Sequence, residues 1–423
     1  MNPEEKIPRA SQDQYVARQA VFDRQHRVVG YELLFRSGPE NFFSHPDGDG
    51  ASRQVIESSL NTFGLGRLSE GSRTFINVTP GMILQGCPTL LPPKRTALEL
   101  VGSGTQDESL ISALQRLATE GCWIVLDDFT LARAREPAAG IADVLKVDFS
   151  SVGAAERAAI VKARPNPRTQ LLAKKVESRD QLLEALEQGY SLFQGFFFCK
   201  PEMIAHRELP TFKANYLRLM GEVNREGVDY GELDKIIKAD LALSLKILRY
   251  VNSALFSLTR KVDSIRQAIS MVGTDQIRKW ATLLAVSAMA EDRPPELVIT
   301  SLVRGCFCEG IVKSPVSQGQ GVDLFLVGLL SLLDVILGIP MDEALAPLPI
   351  SEPVKGALLR RSGEAGRILQ LVIAYERAEW DQIPLCADRL PLDITTLPYH
   401  YRRAIAWTDE VYRADSGTAK RPR

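Results

Sequence analysis

From Arg18 to about Pro201 short apolar runs recur: RQAVFD, VVGYELLFR, TFINVTP, ALELVG, WIVLDDF, VLKVDF, QLLAKKV and LFQGFFF. Runs this brief, rich in β-branched and aromatic residues, predict strands. Between several of them lie amphipathic segments such as SRQVIESSLNTFG and ESLISALQRLATEG, each closing on glycine. Helices of that kind usually connect parallel strands. Some eight strands in so short a stretch predict a compact α/β barrel rather than an open sheet. The first two runs, joined by DRQHR, predict an antiparallel hairpin, a departure from a regular (β/α)8 barrel.

After Pro201 the period changes. DYGELDKIIKADLALSLKILRYVNSALF carries apolar residues at Leu241, Leu245 and Leu248. SIRQAISMVG places Ile265, Ala268, Ile269 and Val272 on one helical face, and QIRKWATLLAV repeats the spacing with Ile277, Trp280, Ala281 and Leu284. Asp229 and Asp263 stand where N-caps belong. The expected organisation is α/β plus all-α: a modified TIM-type barrel over 15–205 and a helical domain over 206–413. Residues 1–14 and 414–423 are expected to be disordered tails.

Composition narrows the function classes. The 423 residues are 45% hydrophobic and 24% charged with a formal net charge of -1, so nothing global favours nucleic acid or anionic membranes. Six cysteines without a C-x-x-C read as reduced thiols of a cytoplasmic protein. The polar first residues hold no signal-peptide core. LFLVGLLSLLDVILGIP, from Leu324, is short for a membrane span and carries Asp334, so it reads as two packed core helices. Glycine-rich GLGRLSEGSR and VGSGT lack the Gly-Lys-Ser/Thr of a phosphate loop.

The candidate chemistry lies at the strand ends. Glu32 follows VVGY, Asn77 follows TFI, and Glu99 ends TAL; Asp127 and Asp128 follow WIVL. Lys146 and Asp148 flank Val147, Glu177 follows KKV, and Gln194 follows SLF. Singly, such residues cap turns. In order on successive strands they converge on the C-terminal mouth of a barrel, where active sites lie. Oxygen ligands on rigid strands suit Mg²⁺ or Mn²⁺.

These residues resemble the EAL family of cyclic-di-GMP phosphodiesterases. E-x-L-x-R appears as Glu32-Leu33-Leu34-Phe35-Arg36, D-D-F as Asp127-Asp128-Phe129, K-x-D as Lys146-Val147-Asp148, and Q-G as Gln194-Gly195. Asn77 in FINVTP and Glu99 in LELVG match the family's strand asparagine and next glutamate. The resemblance implies two cations that activate water at a phosphodiester. Glu32, Asn77, Glu99 and Asp127 would hold one; Asp127, Asp128 and a further glutamate would hold the other. Lys146 and Glu177 would be the catalytic residues, with Lys146 placing the water. Arg36, Asp148 and Gln194 would contact the nucleotide.

Three departures stand against that chemistry. The family's A-E-G-V-E is here Ala173-Lys174-Lys175-Val176-Glu177, so Lys174 replaces a metal-binding glutamate. Unit charges about 4 Å apart interact by roughly 4 kcal/mol at an effective dielectric near 20, and the swap reverses the sign. Lys174 is therefore expected to sit where the second ion would, neutralising Asp127 and Asp128. The G-T-G stretch is Thr130-Leu131-Ala132, and Gly102 stands where an acidic residue usually follows Glu99.

IIKADLALSLKILRYVNSALF, SIRQAISMVGTDQIRKW and FLVGLLSLLD resemble the HDOD domain, a relative of HD phosphohydrolases without their metal ligands. Asn252 and Ser253 match its N-S pair. Beyond His206 the only histidine is His400, so a His/Asp metal centre cannot form there. The domain order resembles the EAL-HDOD regulators, which implies cyclic-di-GMP-linked control of motility and biofilm behaviour. The expected protein is a regulator with a degenerate, non-hydrolytic barrel that senses cyclic di-GMP, using Mg²⁺ or Mn²⁺ at one site or no cofactor. Its helical domain would bind other signalling proteins, and a homodimer is compatible with it. The alternatives are an active Mg²⁺-dependent cyclic-di-GMP phosphodiesterase and a nucleotide-independent scaffold.

Overall fold

The computed structural model describes residues 14–37, 72–101, 107–197, 211–224, 273–312, 323–388 and 392–415, with 251, 267, 271 and 390 singly. Several expectations lie outside the described residues. They are the first connecting helix, the N-caps Asp229 and Asp263, the Asn252-Ser253 pair, Gly102, the outer parts of both tails and the side chain of Arg36.

Eight strands close into a barrel in sequence order. They are β1 (Gln14–Asp23), β2 (Val28–Ser37), β3 (Arg73–Val78), β4 (Thr96–Leu100), β5 (Trp123–Leu126), β6 (Val144–Asp148), β7 (Gln170–Lys174) and β8 (Leu192–Gln194). β1 runs antiparallel to both neighbours, and the other pairings are parallel. The hairpin expected from DRQHR is present: Asp23 Oδ1 accepts from the N–H groups of Gln25 and Arg27, each at 2.9 Å.

The two-residue period of a strand builds the barrel interior in layers. Val21, Phe75, Ala97, Val125, Val144, Leu172 and Leu192 pack into one closed apolar cluster. Two positions further along their strands come Asn77, Glu99, Asp127, Lys146, Lys174 and Gln194. An apolar floor thus carries a polar layer toward the C-terminal mouth. Gly30 of β2 makes room for this floor, since a Cβ there would lie 2.4 Å from the Arg73 carbonyl oxygen and 2.7 Å from the Phe75 ring.

Among the described residues, helices α1 (Pro80–Leu84), α2 (Glu108–Glu120), α3 (Ala154–Ala163) and α4 (Arg179–Gln188) belong to the connections between strands. α2 starts at Asp107, whose carboxylate caps Leu110 N–H, and ends at Gly121 in the left-handed region, φ 106°. Its buried face is Leu110, Leu114 and Leu117.

The rest of the described chain is helical: α5 (Thr211–Val223), α6 (Thr274–Met289), α7 (Pro295–Ile311), α8 (Leu324–Leu329), α9 (Leu333–Leu337), α10 (Met341–Leu345), α11 (Glu352–Arg360), α12 (Gly363–Glu376), α13 (Gln382–Ala387) and α14 (Leu397–Asp415). The apolar stretch from Leu324 forms α8 and α9 around a 3-10 turn at Leu330–Leu332, nearly all of it buried, with Leu324 and Asp334 half-buried. No described helix is long and apolar enough to cross a membrane. β1 begins at Gln14 and α14 runs to Asp415, a residue or two into the expected tails. The two halves share one apolar core, with α12 and α14 packed on β1.

Candidate functional site at the barrel mouth

Backbone bonds lock successive strand ends together. Phe129 N–H donates to the Lys146 carbonyl at 2.9 Å, Phe149 N–H to that of Lys174 at 3.0 Å, and Val176 N–H to that of Gln194 at 3.0 Å. Each interior side chain is therefore set by its neighbour's ladder. Gly195 permits the last of these approaches: a Cβ there would lie 2.1 Å from the Val176 carbonyl oxygen.

Lys146 is the inner hub. Its ammonium lies 2.7 Å from Glu32 Oε2 and 2.9 Å from both Glu99 oxygens, and all three residues are buried. Gln194 donates to Glu32, and Asn77 Nδ2 reaches Glu32 Oε1 at 3.4 Å. Burial works against a charged Glu32, but the Lys146 ammonium and its hydrogen bonds outweigh it and hold the carboxyl down to about 2. Glu99 goes the other way. Burial, then the charge of Glu32, push it well above the usual carboxylate range despite Lys146. One ammonium between two buried carboxylates cannot neutralise both.

Lys174 is the outer hub. Its Nζ lies 2.7 Å from Asp127 Oδ1 and 2.6 Å from Asp128 Oδ1. Burial opposes its charge, and Asp127 foremost outweighs that, so the ammonium is held more firmly protonated than an ordinary lysine. Asp128 adopts φ 46° and Lys175 φ 58°. The left-handed region costs an L-residue about 1–2 kcal/mol, and Lys175 stands where the EAL pattern has glycine. Its Nζ lies 2.8 Å from Asp148 Oδ2, while Ser150 donates to Asp148 Oδ1 through its N–H (2.8 Å) and Oγ (2.6 Å).

The altered loop after Asp127-Asp128-Phe129 becomes a 3-10 helix, Leu131–Arg135. Arg133 donates to the carbonyls of Asp127 and Asp128 and pairs with Glu136. That clamp was not legible in the sequence, because Arg133 touches main chain alone in the motif. Lys175 was legible as the residue replacing glycine, but not as the partner of Asp148.

The expected site residues thus divide. Glu32, Asn77, Glu99, Lys146 and Gln194 meet at the inner hub. Asp127 and Asp128 meet at Lys174. Asp148 stands beside them on Lys175. Glu177 lies in the loop before α4, where its N–H donates to Gln181 Oε1 at 2.8 Å. Arg36 is placed on β2 by its backbone alone, opposite Tyr15.

Asn77 Oδ1 is buried with no hydrogen-bond partner. An orphaned oxygen beside the carboxyls of Glu32 and Glu99 suits one divalent cation, which Glu32, Asn77, Glu99 and Asp127 would hold. Among the described residues no three acidic, histidine or cysteine side chains form a ready cage. Lys146 holds Glu32 and Glu99, and Lys174 holds Asp127, so both ammonium groups would have to yield carboxylates to an incoming ion. Beside Asp127 and Asp128, the carboxylates that the resemblance assigns to a second cation, lies the ammonium of Lys174.

The HDOD domain family matches residues 209–338. Over 402 residues, 94% of this chain and 93% of the relative, the chain is 30% identical to the cyclic di-GMP phosphodiesterase CdgJ of Vibrio cholerae serotype O1. It is 32% identical over 375 residues to the uncharacterised protein YuxH of Bacillus subtilis (strain 168), covering 87% of this chain and 91% of YuxH. A solved structure of the Bacillus subtilis YkuI protein, which has an EAL domain and was determined with cyclic di-GMP and calcium, aligns with TM-score 0.36 at 20% identity. That alignment covers 62% of this chain and 71% of YkuI.

Proposed function

The chain belongs to the EAL-HDOD family, and from that premise we propose that it is a cyclic-di-GMP-responsive regulator whose barrel binds the nucleotide without two-cation hydrolysis. One observation carries the reading: Lys174 Nζ bridges Asp127 and Asp128 at 2.7 and 2.6 Å, where the family's second cation would be held.

The chemistry of the pocket follows from its charges. Lys146 and Lys174 are both held protonated by the carboxylates around them, so neither serves as a general base. Their role is electrostatic: Lys146 fixes Glu32 and Glu99, and Lys174 fixes Asp127 and Asp128. Arg36, Asp148 and Gln194 are the proposed nucleotide contacts. A Mg²⁺ or Mn²⁺ ion at the inner position would supply positive charge to a bound phosphodiester. One such ion without a second lacks the paired clamp on attacking and leaving oxygens.

A second reading has its own support. The relative named a cyclic di-GMP phosphodiesterase, together with the orphaned Asn77 oxygen, favours hydrolysis through the inner ion alone. The helical half is proposed as a platform for other signalling proteins, in a cytoplasmic setting and with homodimerisation as one arrangement. Calorimetry of the full chain with cyclic di-GMP, in Mg²⁺ and in a chelator, tests the first reading. Binding in both conditions is expected, and no heat in either overturns it.

A further inference from the structure

Tyr31 and Glu32 are successive residues of β2, so the strand turns them to opposite faces. Glu32 points into the pocket, where Lys146, Gln194 and Asn77 hold it. Tyr31 leaves by the outer face, and its hydroxyl donates to Glu296 Oε2 at 2.8 Å; both residues are buried. Glu296 lies in the first turn of α7, in the helical half. The guanidinium of Arg18, on β1, sits 4.5 Å from the centre of the Tyr31 ring.

β1 is tied to the helices in the same way. β8 has three residues and pairs with β1 only over Val21–Asp23. The N–H groups of Val16 and Arg18, two residues apart and so aimed at one edge, donate instead to the hydroxyls of Tyr375 and Tyr401, each at 3.4 Å. Tyr15 Oη donates to the Ile394 carbonyl at 3.2 Å. A buried strand edge needs partners for its main chain, and α12 and α14 provide them where β8 is too short. Across the hairpin, Gln19 of β1 pairs in register with Glu32.

We propose that the helical half senses the pocket through this seam. A change in the charge held around Glu32 shifts β1 and β2, and with them the docking of α7, α12 and α14. Coupling of this kind is reciprocal, so loosening the seam alters the pocket equally. The inference rests on the proposed function only for the identity of the ligand.

Hydrogen exchange on the full-length protein tests it, first without nucleotide. Glu296→Ala is expected to quicken exchange several-fold in the pocket strands, residues 144–148 and 170–174, while α2 and α3 on the barrel exterior stay unchanged. Lys174→Met is expected to quicken exchange over 295–302 and 397–411, sparing the same two helices. Tyr31→Phe, which removes the hydroxyl and keeps the ring under Arg18, should reproduce the first pattern. Effects confined to the mutated half, or a uniform rise that includes α2 and α3, would overturn the proposal. Cyclic di-GMP added to the unsubstituted protein is expected to slow exchange over 295–302. If the mutational pattern holds and the nucleotide changes nothing, the seam stands and the proposed ligand does not.

Discussion

Lys174 Nζ lies 2.7 Å from Asp127 Oδ1, an ammonium against the carboxylate at the rim of the barrel's polar layer. Both side chains are 13% exposed, and this decides the weight of the contact. A surface pair is worth little, whereas removing one partner of a buried pair typically costs roughly 3–5 kcal/mol. Asp128, 72% exposed, adds little.

Lys174→Met is therefore expected to lower stability by about 3 kcal/mol, the low end for a buried pair. The freed carboxylates should then recruit a cation, so millimolar Mg²⁺ should restore part of the loss by mass action. Melting curves of both proteins in Mg²⁺ and in a chelator check this. Equal Tm in all four conditions would remove Lys174 as an internal counterion.

Asn77 tests the inner position separately. Replacing it by leucine removes an unpaired buried oxygen and one long hydrogen bond, 3.4 Å to Glu32, at similar volume, so the cation-free protein should lose only about 1 kcal/mol. Mg²⁺ should raise the Tm of the unsubstituted protein and leave Asn77→Leu unchanged. The same Mg²⁺ response in both would exclude Asn77 as a ligand.

Asp148 gives a dependence on pH. Burial would raise its carboxyl, but hydrogen bonds from Lys175 and Ser150 outweigh it and hold it below the ordinary value of 3.8. A depressed folded pKa means stability that is present above the unfolded value and lost as pH falls through the folded one. Asp148→Asn should lower Tm at pH 7, and the gap should close below about pH 3.8. A gap that persists unchanged at pH 3 would place its origin outside this ionisation.

Much of this was legible before any coordinates. The eight strands, the hairpin and the polar layer follow from two-residue alternation, since Phe75 then Asn77, or Val144 then Lys146, must share a face. Lys174 against the aspartates followed from the EAL resemblance, which aligns it with a metal-binding glutamate, together with its charge. Long-range partners were not legible. Tyr31 with Glu296, and Val16 with Tyr375, join residues 265 and 359 positions apart through folds of different period. Nor was Arg133, because a donor to carbonyls leaves no pattern in side-chain chemistry.

The central claim is that the Lys174 ammonium occupies the place of a catalytic cation. Its most direct measurement is turnover: full-length protein with cyclic di-GMP and Mn²⁺ or Mg²⁺, following the linear dinucleotide product. No accumulation is expected over hours at a concentration where calorimetry detects binding. Steady multiple turnover that Asp127→Asn abolishes would contradict it.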